Sequence, residues 1–299
     1  MKAMILAAGL GTRLRPLTDV CPKPLVPVAN RPVIAYITAY LKHYGIRSIV
    51  VNTHHHARRM SKFLQETSGL GVSIELRHEP AILGTGGGLR NVADFWGAGT
   101  LLAINGDILT DVDLGDALSF HRSAGSAATL VLHRCPPFDQ ILLDGSGTVR
   151  DIASRARPGR LAFTGIHFLE PEVRDWIPPA GFADIVSSYR RMIASGERIA
   201  GYVADGPYWR DIGTLESYIR ANREQSPEPI LFGPGCEASP SARVSEWAVV
   251  GPDCRLEAGA TVTRSVLWDR VRVREGVRVV DSVVTSGRTV QRDLVGEAL

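Results

Sequence analysis

Residues 4–25 read MILAAGLGTRLRPLTDVCPKPL, a short apolar run followed by a loop rich in glycines and cations. The run at 4–8 predicts a β-strand that ends at the first glycine. Gly9 and Gly11 let the backbone turn and bring N–H groups close to an anion, and Arg13 supplies a planar cation suited to phosphate oxygens. Lys23 adds a compact ammonium within a stiff Pro-Lys-Pro segment. A strand that opens into such a loop predicts a segment suited to holding a triphosphate.

The loop differs from the two common phosphate-binding fingerprints. A Walker A loop requires Gly-Lys followed by Ser or Thr, and this sequence has no such tripeptide here. The dinucleotide fingerprint requires a third glycine, and Leu14 stands at that position. The cations and the Pro-Lys-Pro segment therefore define a phosphate-binding loop of another kind.

The chain beyond this loop alternates between apolar runs and helical patterns. Residues 31–44 place apolar side chains on one helical face, with Pro32 in the first turn and Gly45 after the end. Strands are predicted at 47–52, 71–77 and 100–105, and a helix at 56–67. This alternation predicts a mostly parallel sheet with helices on both faces, which binds ligands beyond the carboxyl ends of its strands. The loops expected at that edge are 8–29, 78–90 and 105–113.

The pattern changes twice further along the chain. Residues 127–170 contain short strands joined by turns such as DGSG at 144–147, which favours antiparallel pairing. Helices are predicted at 182–195 and 214–225. Residues 226–235, with three prolines and two glycines, predict a linker.

The last segment has an apolar period of six residues. The positions in register are Ala238, Val244, Val250, Leu256 and Val262. Small, polar and glycine residues fill the intervals, and the period blurs after 262 before apolar alternation resumes. A six-residue period without a helical period is typical of a β-solenoid.

Composition limits the class of protein. An apolar fraction of 44% indicates a chain that forms a core, and a net charge of +3 argues against nucleic acid as a partner. The apolar runs are too short for a membrane span, and the N-terminal run is too short for a signal peptide. The four cysteines are scattered without paired spacing, which favours a reducing cytoplasm over a disulfide framework.

Five sequence blocks resemble the sugar-1-phosphate nucleotidylyltransferases, also called NDP-sugar pyrophosphorylases. The blocks are LAAGLGTRLRPLTDVCPKPLVPVANRPVI (6–34), EPAILGTGGGL (79–89), INGDILTD (104–111), LAFTGIHFLEP (161–171) and YWRDIGTLESY (208–218). The resemblance implies a Rossmann-like α/β nucleotidyltransferase domain with a mixed sheet at 1–228. It also implies a short left-handed β-helix of hexapeptide-like repeats at 229–299.

The implied reaction joins a sugar 1-phosphate to an NTP and releases pyrophosphate. A sugar phosphate oxygen attacks the α-phosphorus in line, so catalysis is mainly positioning and neutralisation of charge. The resemblance implies that Asp107 and Asp211 bind Mg²⁺, the expected cofactor, which takes oxygen ligands. It also implies catalytic roles for Arg13 and Lys23 together with Asp107.

The resemblance assigns further residues to the two substrates. The expected nucleotide-binding residues are Leu6, Ala8, Gly9, Gly11, Thr12, Arg13, Gly84, Thr85, Gly86 and Gly87. The expected sugar-phosphate-binding residues are Asn105, Gly165 and Arg157, and Glu79 is a further candidate for a base or sugar contact.

Several of these residues also have a purely structural interpretation. Asp107 could be a turn or cap residue, the glycines at 84–87 a simple turn, and Gly165 a strand-packing residue. Asp111 and Asp113 are expected as turn and cap residues. The histidines in THHH (53–56) are expected as loop and helix-start residues, since adjacent histidines point different ways.

One departure from the family pattern concerns the sugar phosphate. Many relatives carry Glu-Lys-Pro before the TGI block, and its lysine holds the sugar phosphate; here the region reads ASRARPGRLAFTGI (153–166). Arg157 is the candidate replacement. The expected substrates are GTP with mannose or heptose 1-phosphate. The alternatives are UTP with a muramate- or glucose-type sugar phosphate, or a non-catalytic regulatory protein that binds sugar nucleotides.

The solenoid tail has three interpretations. Acyltransferase chemistry lacks support because no histidine follows His167 to serve as a base. The tail is therefore expected to act in oligomerisation or regulation, and a homo-oligomer is the expected assembly. Small-molecule substrates are the expected partners, with neither nucleic acid nor membrane.

Overall fold

The computed structural model describes residues 1–136 and 138–299. The chain forms two compact units. The first contains Met1–Leu10 and Ile37–Trp209, and the second contains Gly11–Tyr36 and Arg210–Leu299. The second unit therefore combines the residues predicted as a solenoid with an N-terminal segment that includes most of the glycine- and cation-rich loop.

The strands and helices follow in chain order. The strands up to residue 211 are β1 (Lys2–Leu6), β2 (Pro27–Val28), β3 (Arg31–Pro32), β4 (Ser48–Thr53), β5 (Ser73–His78), β6 (Leu101–Asn105), β7 (Ile108–Thr110), β8 (Ala128–His133), β9 (Asp139–Leu143), β10 (Val149–Ile152), β11 (Leu161–Leu169), β12 (Ile199–Val203) and β13 (Trp209–Asp211). The later strands are β14 (Ile230–Phe232), β15 (Glu237–Ala238), β16 (Arg243–Val250), β17 (Arg255–Leu256), β18 (Thr261–Leu267), β19 (Arg272–Val273), β20 (Arg278–Val280), β21 (Val283–Val284), β22 (Thr289–Val290) and β23 (Leu294–Val295). The helices are α1 (Leu17–Val20), α2 (Val33–His43), α3 (Ala57–Glu66), α4 (Gly84–Asn91), α5 (Ala93–Trp96), α6 (Leu114–Ala124), α7 (Ile185–Ala194) and α8 (Leu215–Gln225).

The first unit is built on a mixed sheet of nine strands. The main strand order is β10-β9-β11-β6-β1-β4-β5, and β8 pairs with both β11 and β12. Strands β6, β1, β4 and β5 run parallel, whereas β11 runs antiparallel to β6, β8 and β9. The predicted parallel half, the predicted antiparallel half and the mixed α/β class are thus confirmed.

The central strands are buried on both faces, which explains their uninterrupted apolar sequences. Ala3, Met4 and Ile5 are all fully buried although successive side chains of a strand point to opposite faces. Ile5 pairs with Val51 on one side and with Ile104 on the other. The residues that follow Ile5, Val51 and Ile104 therefore leave the sheet at one common edge, the carboxyl edge, as predicted.

The predicted helices are confirmed within two or three residues at each end. The segment 31–44 forms α2, 56–67 forms α3, 182–195 forms α7 and 214–225 forms α8. Asp113 caps α6, since its Oδ1 accepts hydrogen bonds from the N–H groups of Gly115 at 2.7 Å and Asp116 at 3.0 Å. Among the described residues, none of the helices is both long enough and apolar enough to cross a membrane.

The second unit contains a parallel β-solenoid, so the solenoid that the six-residue period predicted is confirmed. Val244 pairs with Val262, eighteen residues or three six-residue sides later. The next coil is shorter, because Val262 pairs with Val279, seventeen residues later, and Val279 pairs with Leu294, fifteen residues later. The period in the sequence blurs after 262 because each later coil has lost one or more residues from its sides.

A buried histidine lies in the core of the first unit. His167 on β11 is 1% exposed and pairs with Ala103 and Leu130 on the neighbouring strands. Its Nδ1 is hydrogen-bonded to the hydroxyl of Tyr189 on α7. Burial lowers the pKa of His167 from 6.5 to about 3, so the imidazole stays neutral inside the fold.

This histidine makes the stability of the protein depend on pH. Below about pH 6.5 the unfolded chain binds a proton at His167 that the folded chain does not bind until about pH 3. We therefore expect the free energy of unfolding to fall between pH 6.5 and 4, by up to about 1.4 kcal/mol per pH unit. Urea unfolding at pH 7 and pH 5 measures this loss. The loss should shrink in His167→Gln and persist in His55→Gln, which changes an exposed histidine; equal losses in all three proteins would contradict the assignment.

Candidate active site

In the first unit, the carboxyl edge of the sheet begins with the residues that follow β1 and β6. The Gly106 N–H donates to the carbonyl of Leu6 at 2.9 Å, so the two chain segments leave the sheet side by side. A Cβ at Gly106 would lie 2.9 Å from that carbonyl oxygen, so only glycine fits. Asp107 follows at once and is half-buried. The predicted nucleotide residues Leu6, Ala8 and Gly9 thus start from the same edge as the predicted metal ligand.

Asn105 and Gly165 lie against each other at this edge. Gly165 has φ +81° at a bulge between Phe163 and His167 in the pairing of β11 with β8. A Cβ at this position would lie 2.5 Å from Asn105 Nδ2. The two residues predicted to contact the sugar phosphate are therefore neighbours, and the glycine leaves room for the amide.

Replacing this glycine tests that arrangement. We expect Gly165→Ala to displace the Asn105 amide and to lower kcat/KM for the sugar phosphate by roughly tenfold or more, since small misplacements cost rate. Gly159→Ala is the matched control. Gly159 also has a positive φ, +75°, but a Cβ there meets no atom within 4 Å. Steady-state kinetics of both variants would distinguish displacement of Asn105 from backbone strain. Equal losses of kcat/KM in the two variants would show that backbone strain alone causes the effect.

The glycines at 84–87 form a helix rather than the predicted loop. Gly84–Asn91 is α4, so the loop expected at 78–90 ends at Leu83. The N–H groups of Gly86 and Gly87 donate to the carbonyl of Ala183 at 2.8 and 3.0 Å. A Cβ at Gly86 would lie 3.1 Å from that same oxygen. Close backbone packing therefore requires glycines here, and it outweighs their poor helix propensity.

Thr85 ties the start of α4 to the start of α7. Its Oγ1 donates to Asp184 Oδ1 at 3.0 Å and accepts from the Ile185 N–H at 3.0 Å. The Ala183 N–H in turn donates to the carbonyl of Leu83 at 2.8 Å. The role predicted for these residues in nucleotide binding stays a prediction, and their backbone is already fixed by these contacts.

Two buried polar residues connect the loops after β1, β4 and β5. Asn52 Oδ1 accepts from the Ala7 N–H at 2.7 Å, and Asn52 Nδ2 donates to Glu79 Oε1 at 2.7 Å. Glu79 is fully buried, and its Oε2 accepts from the Leu83 N–H at 3.2 Å. Sequence reasoning missed Asn52, because a single polar residue near the end of a strand carries no distinctive signal.

In the second unit, Gly11 begins the remaining part of the cation-rich loop. Its φ is +64°, and a Cβ there would lie 2.7 Å from Thr18 Cγ2. The Leu14 N–H and the Thr18 hydroxyl both donate to the Gly11 carbonyl, each at 2.9 Å. Residues Thr12–Leu14 form one turn of 3₁₀ helix that leaves Thr12 and Arg13 exposed. The loop is thus internally fixed, and it presents an arginine to solvent.

Arg13 and Asp211 both lie close to Gly213 within this unit. A Cβ at Gly213 would lie 3.0 Å from Arg13 Nη2 and in close contact with Asp211 Oδ1. The Gly213 N–H donates to that same carboxylate oxygen, and the Ser217 hydroxyl donates to the Asp211 carbonyl. The structure therefore brings the predicted phosphate-binding arginine and one predicted metal ligand to the same glycine.

The neighbouring arginine has a surface role. Arg15 Nε lies 3.1 Å from Asp19 Oδ1, and both side chains are more than half exposed. Such exposed pairs contribute little to stability. Among the described residues, Arg15 thus has a contact that accounts for it without any ligand.

Lys23 begins a segment that is anchored by α8 and the solenoid. It is half-buried in the 3₁₀ turn Lys23–Leu25. Shortly after this turn, the carbonyl of Pro27 accepts a hydrogen bond from the Tyr218 hydroxyl at 2.6 Å. The same hydroxyl accepts a hydrogen bond from Trp268 Nε1 at 2.9 Å. Asn30 Nδ2 donates to the Val250 carbonyl at 3.0 Å. Sequence reasoning missed these anchors, since they join positions far apart in the chain.

Asp107 and Asp211 have the donor chemistry that Mg²⁺ requires. Both offer carboxylate oxygens on half-buried side chains. Within residues 1–136 and 138–299, no three His, Cys, Asp or Glu side chains are grouped closely enough to hold a metal alone. Mg²⁺ is commonly held by one or two carboxylates with substrate phosphates and water, so a smaller donor set suffices.

Arg157 and the histidine cluster lie outside these groups. Arg157 is exposed on the segment between β10 and β11, and its N–H donates to the Asp139 carbonyl at 2.8 Å. Its predicted contact with the sugar phosphate stays a prediction. His54 Nδ1 lies 2.8 Å from the Glu79 carbonyl oxygen, and His56 precedes α3 with φ +55°. Both are loop and helix-start residues, as expected.

Comparison with known proteins gives matches along most of the chain. The family model described as nucleotidyl transferase matches residues 2–227. Mannose-1-phosphate guanylyltransferase of Mycobacterium tuberculosis is 32% identical, over 92% of this chain and 81% of that protein. N-acetylmuramate alpha-1-phosphate uridylyltransferase of Neisseria meningitidis is 36% identical, over 72% of this chain and 94% of that protein.

A solved structure agrees with the architecture. The crystal structure of HddC from Yersinia pseudotuberculosis superposes with a TM-score of 0.66 and covers 75% of this chain and 98% of that one. The two sequences are 22% identical, so this likeness concerns the fold alone.

Proposed function

The chain belongs to the sugar-1-phosphate nucleotidylyltransferases of the nucleotidyl transferase family, and we propose that it joins GTP to mannose or heptose 1-phosphate with Mg²⁺. The observation that carries the catalytic assignment is that Arg13 and Asp211 both lie against Gly213. A guanidinium and a carboxylate so close together suit a charged phosphate chain and its metal ion.

The proposed reaction is an in-line displacement at phosphorus. An oxygen of the sugar phosphate forms a bond to the α-phosphorus of the NTP, and the bond from that phosphorus to the bridging oxygen breaks. Pyrophosphate leaves with the electron pair. Mg²⁺, when bound, supplies positive charge against the phosphate oxygens.

The residues of this chain have positioning and charge-neutralising roles. Arg13 holds the β- and γ-phosphates and the departing pyrophosphate, and Lys23 neutralises charge near the reacting phosphates. Asp107 and Asp211 would hold the metal ion. Asn105 and Gly165 form the surface for the sugar phosphate, with Arg157 as the additional cation. Since little covalent chemistry is required of the protein, these roles suffice for the transfer.

The preference for GTP rests on identity and extent taken together, since a UTP–glucose-1-phosphate uridylyltransferase of Synechocystis matches 95% of the chain at the lower identity of 28%. The Mycobacterium guanylyltransferase matches 92% of the chain, which includes residues of the solenoid tail. UTP with a muramate-type sugar phosphate is the second candidate. It is favoured by the higher identity, 36%, of the Neisseria uridylyltransferase, although that match covers only 72% of the chain.

An assay of pyrophosphate release identifies the two substrates directly. The purified protein is incubated with Mg²⁺ and each of GTP, UTP, dTTP, ATP and CTP against mannose, glucose, N-acetylglucosamine, heptose and muramate 1-phosphates. We expect one dominant pair that contains GTP, and we expect EDTA to abolish pyrophosphate release from that pair. A dominant UTP pair would replace the first proposal by the second. A protein that binds nucleotide but releases no pyrophosphate with any pair would support the regulatory alternative.

A further inference from the structure

Asn52 and Glu79 form a buried chain of hydrogen bonds, here called the Asn–Glu relay. Asn52 is 3% exposed and Glu79 is fully buried. The relay runs from the Ala7 N–H to Asn52 Oδ1, from Asn52 Nδ2 to Glu79 Oε1, and from the Leu83 N–H to Glu79 Oε2. The three distances are 2.7, 2.7 and 3.2 Å. Each donor thus faces an acceptor, and a buried carboxylate receives a bond at both oxygens.

The two ends of the relay are the starts of two predicted nucleotide-binding segments. Ala7 precedes Ala8 and Gly9, and Leu83 precedes Gly84 at the beginning of α4. Both ends are backbone N–H groups, so the relay fixes the main chain rather than a side chain. Hydrogen bonds have narrow preferences in length and direction. The relay therefore sets the separation of these two segments.

Packing beneath the relay restricts it further. A Cβ at Gly88 would lie 2.8 Å from Asn52 Nδ2, 3.1 Å from Glu79 Oε1 and 3.4 Å from Met4 Cε. The amide and the carboxylate are therefore confined between β1 and α4. A pair held this tightly has little freedom to adjust when one partner changes.

We propose that Asn52 and Glu79 are positioning residues for the NTP, which hold the loop after β1 and the start of α4 at the separation that the nucleotide requires. The inference rests on the proposed function, because it takes the NTP as the ligand of both segments. Neither residue contacts the nucleotide. Their effect passes through Ala7 and Leu83.

The relay can be broken and restored by exchanging its two chemical groups. Asn52→Asp places two carboxylates against each other. Glu79→Gln places an amide N–H against a donor, either Asn52 Nδ2 or the Leu83 N–H. In the double variant, the introduced carboxylate accepts from the Ala7 N–H and from the introduced amide, whose own oxygen accepts from the Leu83 N–H. Every donor again faces an acceptor, with the same net charge and nearly the same volume.

We expect the variants to change KM for the NTP and to leave KM for the sugar phosphate unchanged. Each single variant should raise KM for the NTP by roughly 10- to 100-fold, as supporting residues around bound groups commonly do. KM for the sugar phosphate should stay near the wild-type value. The double variant should recover KM for the NTP. Gly88→Ala, which pushes against the relay without changing its groups, should resemble the single variants.

Glu170→Gln is the matched control. Glu170 is also a carboxylate in a hydrogen-bond network, with Oε1 bonded to His121 at 2.9 Å and to Thr100 at 2.6 Å. That network lies at the amino end of β6, away from the carboxyl edge of the sheet. Glu170→Gln should lower the thermal unfolding temperature and leave KM for the NTP unchanged.

Three outcomes would overturn the proposal. Single variants that unfold at lower temperature but keep the wild-type KM for the NTP would show a structural role alone. A double variant that stays as impaired as Glu79→Gln would show that Glu79 contacts the base itself. A wild-type protein that neither binds nor turns over any NTP in the same assays would remove the proposed function, and this inference with it.

Discussion

Asp107→Asn should abolish nearly all pyrophosphate release, with a loss in kcat of about 10²- to 10³-fold or more. The change removes one negative charge and leaves the side-chain volume unchanged. Asp107 leaves the sheet directly after Gly106, whose N–H is held by the Leu6 carbonyl at 2.9 Å. Its carboxylate is therefore presented from a rigid edge, where a metal ligand has to be precisely placed. Pyrophosphate release at saturating substrates measures the loss.

Asp111→Asn is the control for this result. Asp111 lies four residues further on, is exposed, and accepts a hydrogen bond from the Tyr208 N–H at 2.6 Å through Oδ1. Asparagine keeps that acceptor and removes the same unit of charge. The control should retain activity within about threefold, since an exposed charge away from the reacting groups has a small effect. Equal losses in both variants, or a fully active Asp107→Asn, would contradict the metal-ligand role.

A second readout distinguishes a metal ligand from other catalytic roles. With Asp107→Asn, the Mg²⁺ concentration for half-maximal activity should rise, because one of the two carboxylates proposed as metal ligands is lost. Nucleotide binding without metal should stay unchanged. A loss of activity with an unaltered Mg²⁺ requirement would assign Asp107 to positioning of the substrate instead.

The elements that sequence reasoning predicted correctly are those fixed by local periodicity. The apolar runs that became β1, β4 and β6 are buried on both faces, so their sequences carry the signal without interruption. The solenoid is a similar case, because its sides of six residues repeat in the sequence. In both, each residue's environment is decided by its place in a regular element.

Residues whose environment depends on distant parts of the chain were harder to predict. The glycines of α4 suggest a loop by propensity, yet the Ala183 carbonyl, about a hundred residues away, makes glycine necessary in a helix. Asn52 is recognisable only through its partners Ala7 and Glu79. Family resemblance identified the candidates Arg13, Asp107 and Asp211, because those positions lie within recognisable motifs. It gave no indication of the residues that support them.

Deletion of residues 229–299 should inactivate the enzyme, although the family model ends at residue 227. We expect kcat/KM to fall by more than about 100-fold, because the segment after Lys23 would lose its anchors. Asn30 would lose the Val250 carbonyl, and Tyr218 would lose the Trp268 indole N–H. Activity and thermal unfolding of the shortened chain, measured beside the full chain, test this expectation. A shortened chain with full activity would show that the tail is dispensable.

Tyr218→Phe examines the same anchor without deleting the tail. The tyrosine is fully buried, and burial raises the pKa of its hydroxyl, which remains a donor to the Pro27 carbonyl. Phenylalanine keeps the ring and leaves both the Pro27 carbonyl and the Trp268 N–H unpaired. Stability should fall by about 1–3 kcal/mol. Activity of the folded fraction should fall as well, since Pro27 lies four residues after Lys23.

Arg292→Ala is the control within the tail. Arg292 forms an exposed ion pair with Glu297 at 2.7 Å on the last coil, so its loss should leave both stability and activity nearly unchanged. If Tyr218→Phe lowered stability alone and the folded enzyme kept the wild-type kcat, the tail would support the fold without positioning Lys23. If both fell, the solenoid would be part of the catalytic apparatus, because the hydrogen bonds from Trp268 to Tyr218 and from Tyr218 to Pro27 connect it to the lysine segment.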